Sequence, residues 1–592
     1  NSAWTTWGGT SLATPIVAGL MALVAEAWVS NNDEYPKSQE FRDFVLSTSD
    51  DRGYEPFIQG GGWFNASRAI STLDGHNGTW WASPAQWNTG TFQGLHRDAN
   101  INFIKPGESQ EIEIEFTNSG ESDILLDFNP TKFAPLEHNI LVWNSFGNGS
   151  DNGTNDTWNG YQSNEPDLLI PLHISGNDSI QIDPETTQLR ARATIEYPAF
   201  DPNNQRITHE RVFLQIYRWT DYDSDGIFHN DTDNDGMVDA GEWTESNEME
   251  EVTNWRSNGP QAEVRVGLPF EDASDGLILG VWRQVDEFSD EDPVRIEVDW
   301  TTFGLVTDDW ITIIGENMIS GGQSNLIMMN ISIPEGTNPG LYQQGLDINS
   351  LLPDSEGNFT IFKNNWKLPI VTNIPWEGPF SLLPKPLDGN TSNQTLYTES
   401  WISGATRWNW RAESGDWRFL TIDWPAELDT GGMAILDVNW DDNPYTDIDV
   451  LWLSETAHGY SQEDTDAYGD STFFIESRSI NNHAGSGQHN WGTYTDSSQE
   501  VFAVPVSEGV HQMVLHTALH GVETNDNPLN ISVGYIVAED SGLERTVLDW
   551  SEGSGNDSLY LLSTIPLPVE TVDAYGWNNV INFDNETAFD DG

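Results

Sequence analysis

The chain has 592 residues, of which 94 are acidic and 24 basic, for a net charge of −70. A surface this negative repels nucleic acid and anionic lipid, so both are excluded as expected partners. The absence of cysteine excludes disulfides and thiolate metal sites, and the 27 tryptophans exclude a disordered acidic tail.

The helical patterns are confined to the beginning of the chain. Pro15, which suits a first helical turn, stands among apolar residues at helical spacing, and together they predict a helix over residues 11–28. A shorter apolar face predicts a second helix over residues 36–48, and residues 60–72 predict a turn, a short strand and a short helix. Residues 1–75 contain 4 basic and 9 acidic residues, a net charge of −5, so most of the acidity lies in the remaining chain.

The remaining chain is predicted to be mainly β. Apolar and polar residues alternate there, as in half-buried strands, and clusters of Gly, Asn, Asp and Pro separate these runs. The clearest runs lie at residues 110–118, 295–300, 419–424 and 435–440. This pattern favours several antiparallel β-sandwich or jelly-roll domains behind the helical segment.

We place soft domain boundaries near residues 76, 270 and 375. The expected parts of the tail are a β-sandwich over 76–270 with an inserted loop at 221–242, a sandwich over 271–375 that resembles fibronectin-III-like modules, a domain over 376–545 that resembles jelly-roll modules, and a C-terminal strand or tail over 546–592.

Ser11 stands at the beginning of the first predicted helix, within the sequence GGTSLATPIVAG. The free backbone N–H groups and the positive dipole end of a helix stabilise negative charge that develops on a substrate oxygen. On this chemistry alone two roles are open: Ser11 caps the helix, which is the commonest role of such a serine, or it acts as a nucleophile.

The longer pattern favours the nucleophile. The string GTSLATP at residues 9–15, followed by Val-Ala-Gly, resembles the Gly-Thr-Ser-x-Ala-x-Pro motif of subtilisin-like serine proteases, and residues 60–66 resemble the element that closes their catalytic domain. The resemblance covers roughly residues 1–73. It implies that residues 1–75 are the C-terminal end of an α/β catalytic domain, that Ser11 is the catalytic nucleophile and its N–H an oxyanion donor, and that the substrates are proteins or peptides.

The other catalytic groups of that family do not precede Ser11 in this sequence. The family order is Asp, His and then Ser, but the ten residues before Ser11 contain neither Asp nor His, and the first histidine is His76. A serine without its base is a poor nucleophile, so we expect no proteolysis from this chain alone. We expect the chain to be the C-terminal part of a larger secreted protease, whose remaining catalytic part is its missing partner.

In that family a parallel sheet buries the helix that begins at the nucleophile. We therefore expect the apolar face of the 11–28 helix to be exposed or loosely packed in this chain.

A second informative stretch, DTDNDGMVDAGE at residues 231–242, matches the calcium-loop pattern Asp-x-[Asp/Asn]-x-[Asp/Asn]-Gly-x5-Glu without a gap. The expected ligands are Asp231, Asp233, Asp235, Met237 through its carbonyl, Asp239 and Glu242. Five carboxylates this close repel one another unless a cation lies among them. The alternative is an ordinary solvated acidic turn.

The sequence DYDSDG at residues 221–226 repeats the first half of that loop. Asp221, Asp223 and Asp225 are therefore candidate ligands of a second site, although Thr232 stands at its twelfth position. No amphipathic helices flank the pair of loops, so we predict a structural Ca²⁺ clip on a β-domain rather than a calcium sensor.

A second functional hypothesis is a non-catalytic extracellular adhesion or glycan-binding protein that binds calcium. Exposed tryptophans could stack on sugars, although core packing suits most of them better. The candidates are Trp80, Trp81, Trp401, Trp408, Trp410 and Trp417.

Under both hypotheses the protein is secreted or lies on the cell surface. The 14 Asn-x-Ser/Thr sequons are compatible with a glycoprotein, and chance in a chain rich in Asn, Ser and Thr explains them equally well. No apolar run of about 18 residues stands out, so no membrane span is expected.

Overall fold

The structure is a computed structural model that describes residues 10–52, 56–91, 102–145, 166, 168–195, 211–228, 248–256, 261–267, 269, 275–284, 294–376, 380–382, 417–424, 432–439, 447–453, 460–465, 471–473, 475–479, 499–506, 509–519, 529–537, 547–551 and 558–562. Within these residues the protein is mainly β, as the sequence predicts.

Helices occupy much of the described part of the first 75 residues. They are α1 (Thr10–Asn32), α2 (Ser38–Ser47), α3 (Pro56–Gln59) and α4 (Ala66–Leu73). Both longer predicted helices are confirmed, and the predicted short helix is α4. The predicted short strand is a single antiparallel bridge between Asp50 and Trp63.

The strands begin after the last helix. Those up to residue 376 are β1 (Trp80–Ser83), β2 (Trp87–Asn88), β3 (Ser109–Asn118), β4 (Ile124–Ser145), β5 (Leu168–Ile174), β6 (Thr186–Ile195), β7 (Arg211–Trp219), β8 (Met249–Arg256), β9 (Gln261–Gly267), β10 (Gly276–Gln284), β11 (Val294–Thr307), β12 (Ile311–Ile314), β13 (Met318–Ile319), β14 (Ser324–Ser332), β15 (Gly340–Pro353) and β16 (Phe359–Trp376).

The strands beyond residue 376 are β17 (Phe380–Leu382), β18 (Trp417–Trp424), β19 (Gly432–Asn439), β20 (Asp447–Leu453), β21 (Tyr460–Thr465), β22 (Ser471–Phe473), β23 (Ile475–Ser479), β24 (Gln499–Val506), β25 (Gly509–Leu519), β26 (Leu529–Val537), β27 (Val547–Ser551) and β28 (Ser558–Leu562). The four clearest alternating runs of the sequence are thus confirmed as β3, β11, β18 and β19.

Two layers form what we call the first sandwich: the sheet β1-β3-β14-β12, and the β16-β15-β4 part of a long sheet. Strand β3 shows how the sequence specifies the buried face, because Ile114 and Phe116 are buried while Glu113 and Glu115 on either side of Ile114 are not. The core between the layers also contains Trp80, Ile327, Met329, Leu346, Ile348 and Leu368.

The second sandwich packs the sheet β5-β10-β7-β8 against the β11-β6-β9 part of the same long sheet. Apolar side chains from both layers fill its core, and its buried members include Ile170, Leu189, Leu214, Leu279, Ile296 and Val298. The long strand β4 joins both sandwiches, because Ile124 and Leu126 lie in the first core and Trp143 lies in the second.

Strand pairing crosses the boundaries that the sequence places at residues 270 and 375. Strand β14 pairs with β3, β10 pairs with β5 and β7, and the end of β16 pairs in parallel with β18. The predicted 271–375 segment thus contributes strands to both sandwiches. Clusters of Gly, Asn, Asp and Pro mark turns between strands, and turn chemistry is the same inside a domain as between domains.

The turn before α4 brings two backbone segments into close contact. Gly60 and Gly62 both have positive φ angles, of 57° and 97°. A Cβ on Gly62 would lie 2.1 Å from the carbonyl oxygen of Asp50, whereas a Cβ on Gly60 would meet nothing within 4 Å. The backbones of Asp50 and Trp63 exchange two hydrogen bonds of 2.8 Å at this point.

We expect Gly62→Ala to lower the free energy of unfolding by more than about 2 kcal/mol, because it adds a backbone clash to the cost of a left-handed conformation. Gly60→Ala is the matched control and should cost only about 1 kcal/mol, since its φ is also positive but its surroundings are open. Urea unfolding of both variants measures the difference. Equal losses would show that the close backbone contact does not constrain residue 62.

Candidate functional site

Ser11 lies in the first turn of α1, as the sequence predicts. Pro15 is the sixth residue of this helix, beyond the first turn that the sequence predicts for it, so its missing N–H leaves the Ser11 carbonyl without an i→i−4 hydrogen bond. No acidic residue occupies the first turn of α1, so the positive end of the helix dipole is not neutralised by its own side chains.

The apolar surface of α1 is largely uncovered. Ile16 is 63% exposed and Leu23 is 52% exposed, whereas Val24 and Trp28 in the second half are buried. The buried half packs in a small core in which the Trp28 ring lies 5.2 Å from the Phe44 ring of α2. The expectation of an exposed apolar face is thus confirmed for the half of α1 that follows Ser11.

By length and composition, the segment Leu12–Asn32 is apolar enough to cross a membrane. Glu26 is its single charged residue. Ala and Gly occupy many of the positions between its larger apolar side chains. The expectation that no segment has this property is therefore wrong. The central helix of a soluble protein and a signal sequence have the same composition, so this property by itself does not indicate a membrane.

The element that resembles the end of a subtilase catalytic domain forms the entry to α4. The Asn65 side-chain oxygen accepts the Arg68 N–H (2.9 Å) and caps the helix, and its amide donates to Asp50 Oδ2 (2.9 Å). Asn65 therefore has a local structural role, which is to begin α4 and to tie it to the residues after α2.

Two described histidines bond within the β-sheets. His138 is buried on β4 with its Nδ1 2.9 Å from Thr301 Oγ1. His173 Nδ1, on β5, accepts the Ile182 N–H (3.4 Å), and burial lowers the pKa of this histidine. Both rings thus serve the second sandwich, and the base that would activate Ser11 stays a prediction.

The structure brings together the three carboxylates of the second predicted calcium loop, which follows β7. Ligand oxygens of Asp221, Asp223 and Asp225 all lie within 4.8 Å of one another. Asp221 accepts the N–H groups of Asp225 (3.2 Å) and Gly226 (3.0 Å), so the turn itself folds these side chains inward. Ser224 and Gly226 close the turn with positive φ angles of 63° and 76°.

Two residues distant in sequence hold this turn on the sheet. Buried Glu248 accepts the N–H of Tyr222 (2.8 Å) and the indole N–H of Trp219 (3.1 Å), and Asp275 accepts the N–H of Asp221 (2.9 Å). No local pattern points to Glu248 or Asp275, because they reach the turn only through the pairing of β8 and β10 with β7.

The pKa of Asp223 reports repulsion within this cluster. The hydrogen bond from the Asp225 backbone N–H lowers this pKa, but partial desolvation and the neighbouring carboxylates together raise it above its ordinary value. Hard cations such as Ca²⁺ prefer carboxylate oxygens and would relieve this repulsion.

The twelve-residue calcium loop at 231–242 lies outside the described residues, and so do Trp401, Trp408 and Trp410. Of the other tryptophans proposed for glycan binding, Trp80 is buried in the first core, and Trp81 packs against the core around Phe44. These two rings are therefore structural. Trp417 is the first residue of β18.

No protein-family model matches the chain, and no curated protein matches it. Among solved structures, the chain is similar to the secreted serine protease VesC from Vibrio cholerae, with 8% identity, a TM-score of 0.19, and coverage of 73% of this chain and 48% of that chain. It is also similar to the tandem CBM22 domains of Xyn10C from Paenibacillus barcinonensis, with 8% identity, a TM-score of 0.11, and coverage of 68% and 92%.

The chain thus spans about half the length of that protease. TM-scores this low do not establish a shared fold, and we infer neither activity nor substrate from these similarities.

Adjacent residues of α1 provide a test of its uneven burial. We expect Val24→Ala to lower the free energy of unfolding by about 2 kcal/mol, because it empties a filled core position. Leu23→Ala is the control, and it should change this free energy by less than about 0.5 kcal/mol since the side chain is 52% exposed. Thermal or urea unfolding measures both. A loss at Leu23 as large as that at Val24 would mean that another surface covers this face of the helix.

Proposed function

We propose that the chain is the C-terminal part of a secreted subtilisin-like serine endopeptidase in which Ser11 is the nucleophile. The observation that carries this proposal is the position of Ser11 in the first turn of a long apolar helix, within a string that matches the family motif. The exposed half of α1 supports it, because the catalytic sheet of such an enzyme would cover this surface.

In this mechanism Ser11 attacks the carbonyl carbon of the scissile peptide bond. Its backbone N–H and the positive end of α1 stabilise the negative charge that develops on the carbonyl oxygen. The proton of the Ser11 hydroxyl passes to a histidine that an aspartate orients, and these two residues belong to the part of the enzyme that precedes Ser11. The histidine then gives this proton to the departing amine as the peptide C–N bond breaks, and water hydrolyses the resulting ester of Ser11 to release the acid.

This proposal predicts that the coding sequence upstream of Asn1 specifies an Asp and, after it, a His. The protein that includes this part should react with a fluorophosphonate probe at Ser11, whereas residues 1–592 alone should not, because the activating base is missing. Mass spectrometry of the labelled peptide identifies the site.

Ser11→Ala should abolish labelling of the longer protein, and Ser30→Ala, on the same helix, should not. Labelling of Ser11 in the 592-residue chain alone would contradict the need for an external base. An upstream sequence without the Asp and His would contradict the protease proposal itself.

We also propose that the turn at residues 221–226 is part of a structural Ca²⁺ clip. The convergence of three carboxylates within 4.8 Å supports this role. The anchors from Glu248 and Asp275 mean that a bound cation would tighten one end of the sheet β5-β10-β7-β8. The adjoining 231–242 loop would supply the second half of a tandem site.

We expect Ca²⁺ to raise the melting temperature of the protein relative to EDTA, since a ligand at a hundred times its Kd stabilises by about 2.7 kcal/mol. Extracellular calcium modules bind weakly, so about 10 mM Ca²⁺ is the appropriate concentration for differential scanning calorimetry. The Asp223→Asn/Asp225→Asn double variant should lose part of this increase. Asparagine keeps a side-chain oxygen that accepts the backbone N–H groups of the turn, so the variant changes charge more than shape.

Asp178→Asn is the matched control, because Asp178 is an exposed carboxylate on another turn of the second sandwich. This control should keep the full increase. If the wild-type protein melts identically in EDTA and in Ca²⁺, the turn is an ordinary solvated acidic loop.

A further inference from the structure

The helical segment, α1 to α4, meets the first sandwich at a joint built from charged side chains. Arg68 on α4 donates from Nη1 to the carbonyl oxygens of Ser49 (2.9 Å) and Asn365 (3.0 Å), and its Nη2 lies 2.7 Å from Asp50 Oδ1. Asn365 belongs to β16, so one guanidinium bonds to both parts of the protein. Its five N–H donors in a rigid fork suit this double role, which a lysine could not fill.

Lys367, also on β16, makes the second charged contact. Its side chain is only 8% exposed, and its ammonium group pairs with Asp51, which follows α2, and with Asp347 Oδ1 at 3.8 Å on β15. Asp347 lies directly opposite Lys367 in the pairing of β15 with β16. The aliphatic stem of Lys367 lies over Gly345, where a Cβ would come within 2.9 Å of it.

Buried Asp43 on α2 makes the third contact. Its Oδ2 accepts the hydroxyl of Ser83 on β1 (2.8 Å), and its Oδ1 accepts the N–H of Ala85 (3.3 Å) and the amide of Gln39 (3.0 Å). A carboxylate with 1% exposure is stable only when such donors satisfy it, so α2 and the beginning of the sandwich depend on each other.

Apolar contacts continue across the same joint. Trp81 on β1 packs 6.2 Å from the Trp28 ring and 5.8 Å from the Phe44 ring, within the core of the helical segment. Leu46 on α2 packs in the opposite direction, against the core of the first sandwich. Each core thus contains a side chain from the other part.

We infer that the first sandwich is the docking scaffold of the helical segment, that the two form one cooperative folding unit, and that Arg68 and Lys367 couple them. The chain has 24 basic residues against 94 acidic ones. Two of these basic residues, Arg68 and Lys367, contact the carboxylates of Asp50 and Asp51 in the helical segment. Separation of the two parts would break the ion pair of Lys367 with Asp51 and the hydrogen bond from Arg68 to the Asn365 carbonyl. The inference rests on these contacts and holds whether or not Ser11 is a nucleophile.

The test is hydrogen exchange followed by mass spectrometry on the full 592-residue chain. In the wild type, amides of α2 and α4 should be protected to within about threefold of those of β14, because parts of one cooperative unit open together. Lys367→Met and Arg68→Met keep much of the side-chain volume but remove the charge. Each should accelerate exchange in α2 and α4 by at least about tenfold relative to β14.

Arg218→Met is the matched control, because it removes an exposed arginine whose ion pair with Glu250 (2.8 Å) lies in the second sandwich. It should leave exchange in α2 and α4 unchanged. Lys367→Arg keeps the positive charge and should retain near-wild-type exchange. Lys367→Met could also accelerate amide exchange in β14. If Lys367→Arg does not, the positive charge at the joint stabilises both parts together, which agrees with the inference.

Two results would overturn it. One is a wild-type protein in which α2 and α4 exchange far faster than β14, which would show that the helical segment opens independently. The other is unchanged exchange in both Lys367→Met and Arg68→Met. Neither result bears on the chemistry of Ser11, which is tested separately by covalent labelling.

Discussion

Antiparallel pairing along β4 is the constraint on which the arrangement of the two sandwiches depends. This strand of 22 residues pairs with β15 through residues 125–132 and with β11 through residues 131–145. Since one continuous strand takes part in both pairings, the two sandwiches share a sheet and cannot be arranged independently. The side chains of β4 accordingly enter one core near Ile124 and the other near Trp143.

Charge reinforces this register inside the second sandwich. Arg192 on β6 is buried and lies 3.4 Å from Asp299, its direct neighbour on β11, and Arg190 lies 3.9 Å from Glu263 on β9. A slip of one residue would move every side chain of a strand to the opposite face and would place these charges in the apolar core. The net charge of the chain is −70, and both of these buried arginines have carboxylate partners on neighbouring strands. These ion pairs therefore favour the observed strand register over a shifted one.

The helical segment combines a firmly docked end with an open one. The joint at Asp43, Arg68 and Lys367 fixes α2 and α4 on the first sandwich, and over residues 12–32 the buried side chains of α1 are Val24 and Trp28. The end of α1 that carries Ser11 extends from this docked part with its apolar side chains exposed.

Much of the local structure follows from the sequence alone, for physical reasons that are themselves local. Helical spacing and Pro15 predict α1, alternation predicts β3, β11, β18 and β19, and the spacing of Asp221, Asp223 and Asp225 predicts a turn that gathers their carboxylates. Each of these features depends on residues within one or two turns of one another. The calcium loop at 231–242 and the catalytic role of Ser11 stay predictions.

The tertiary structure alone decides which distant segments meet. Nothing near β3 in sequence indicates that it pairs with β14, about two hundred residues later, or that β16 supplies both Asn365 and Lys367 to the helical joint. Strand pairing crosses the predicted domain boundaries for the same reason, since a turn-forming cluster has the same composition within a sheet and between domains. By itself the sequence determined the mainly β class, the helices and the position of Ser11, because periodicity and turn chemistry act over a few residues. Partner strands, buried charges and the docking of the helices were decided by the tertiary structure, because they depend on complementary surfaces that come together only when the chain has folded.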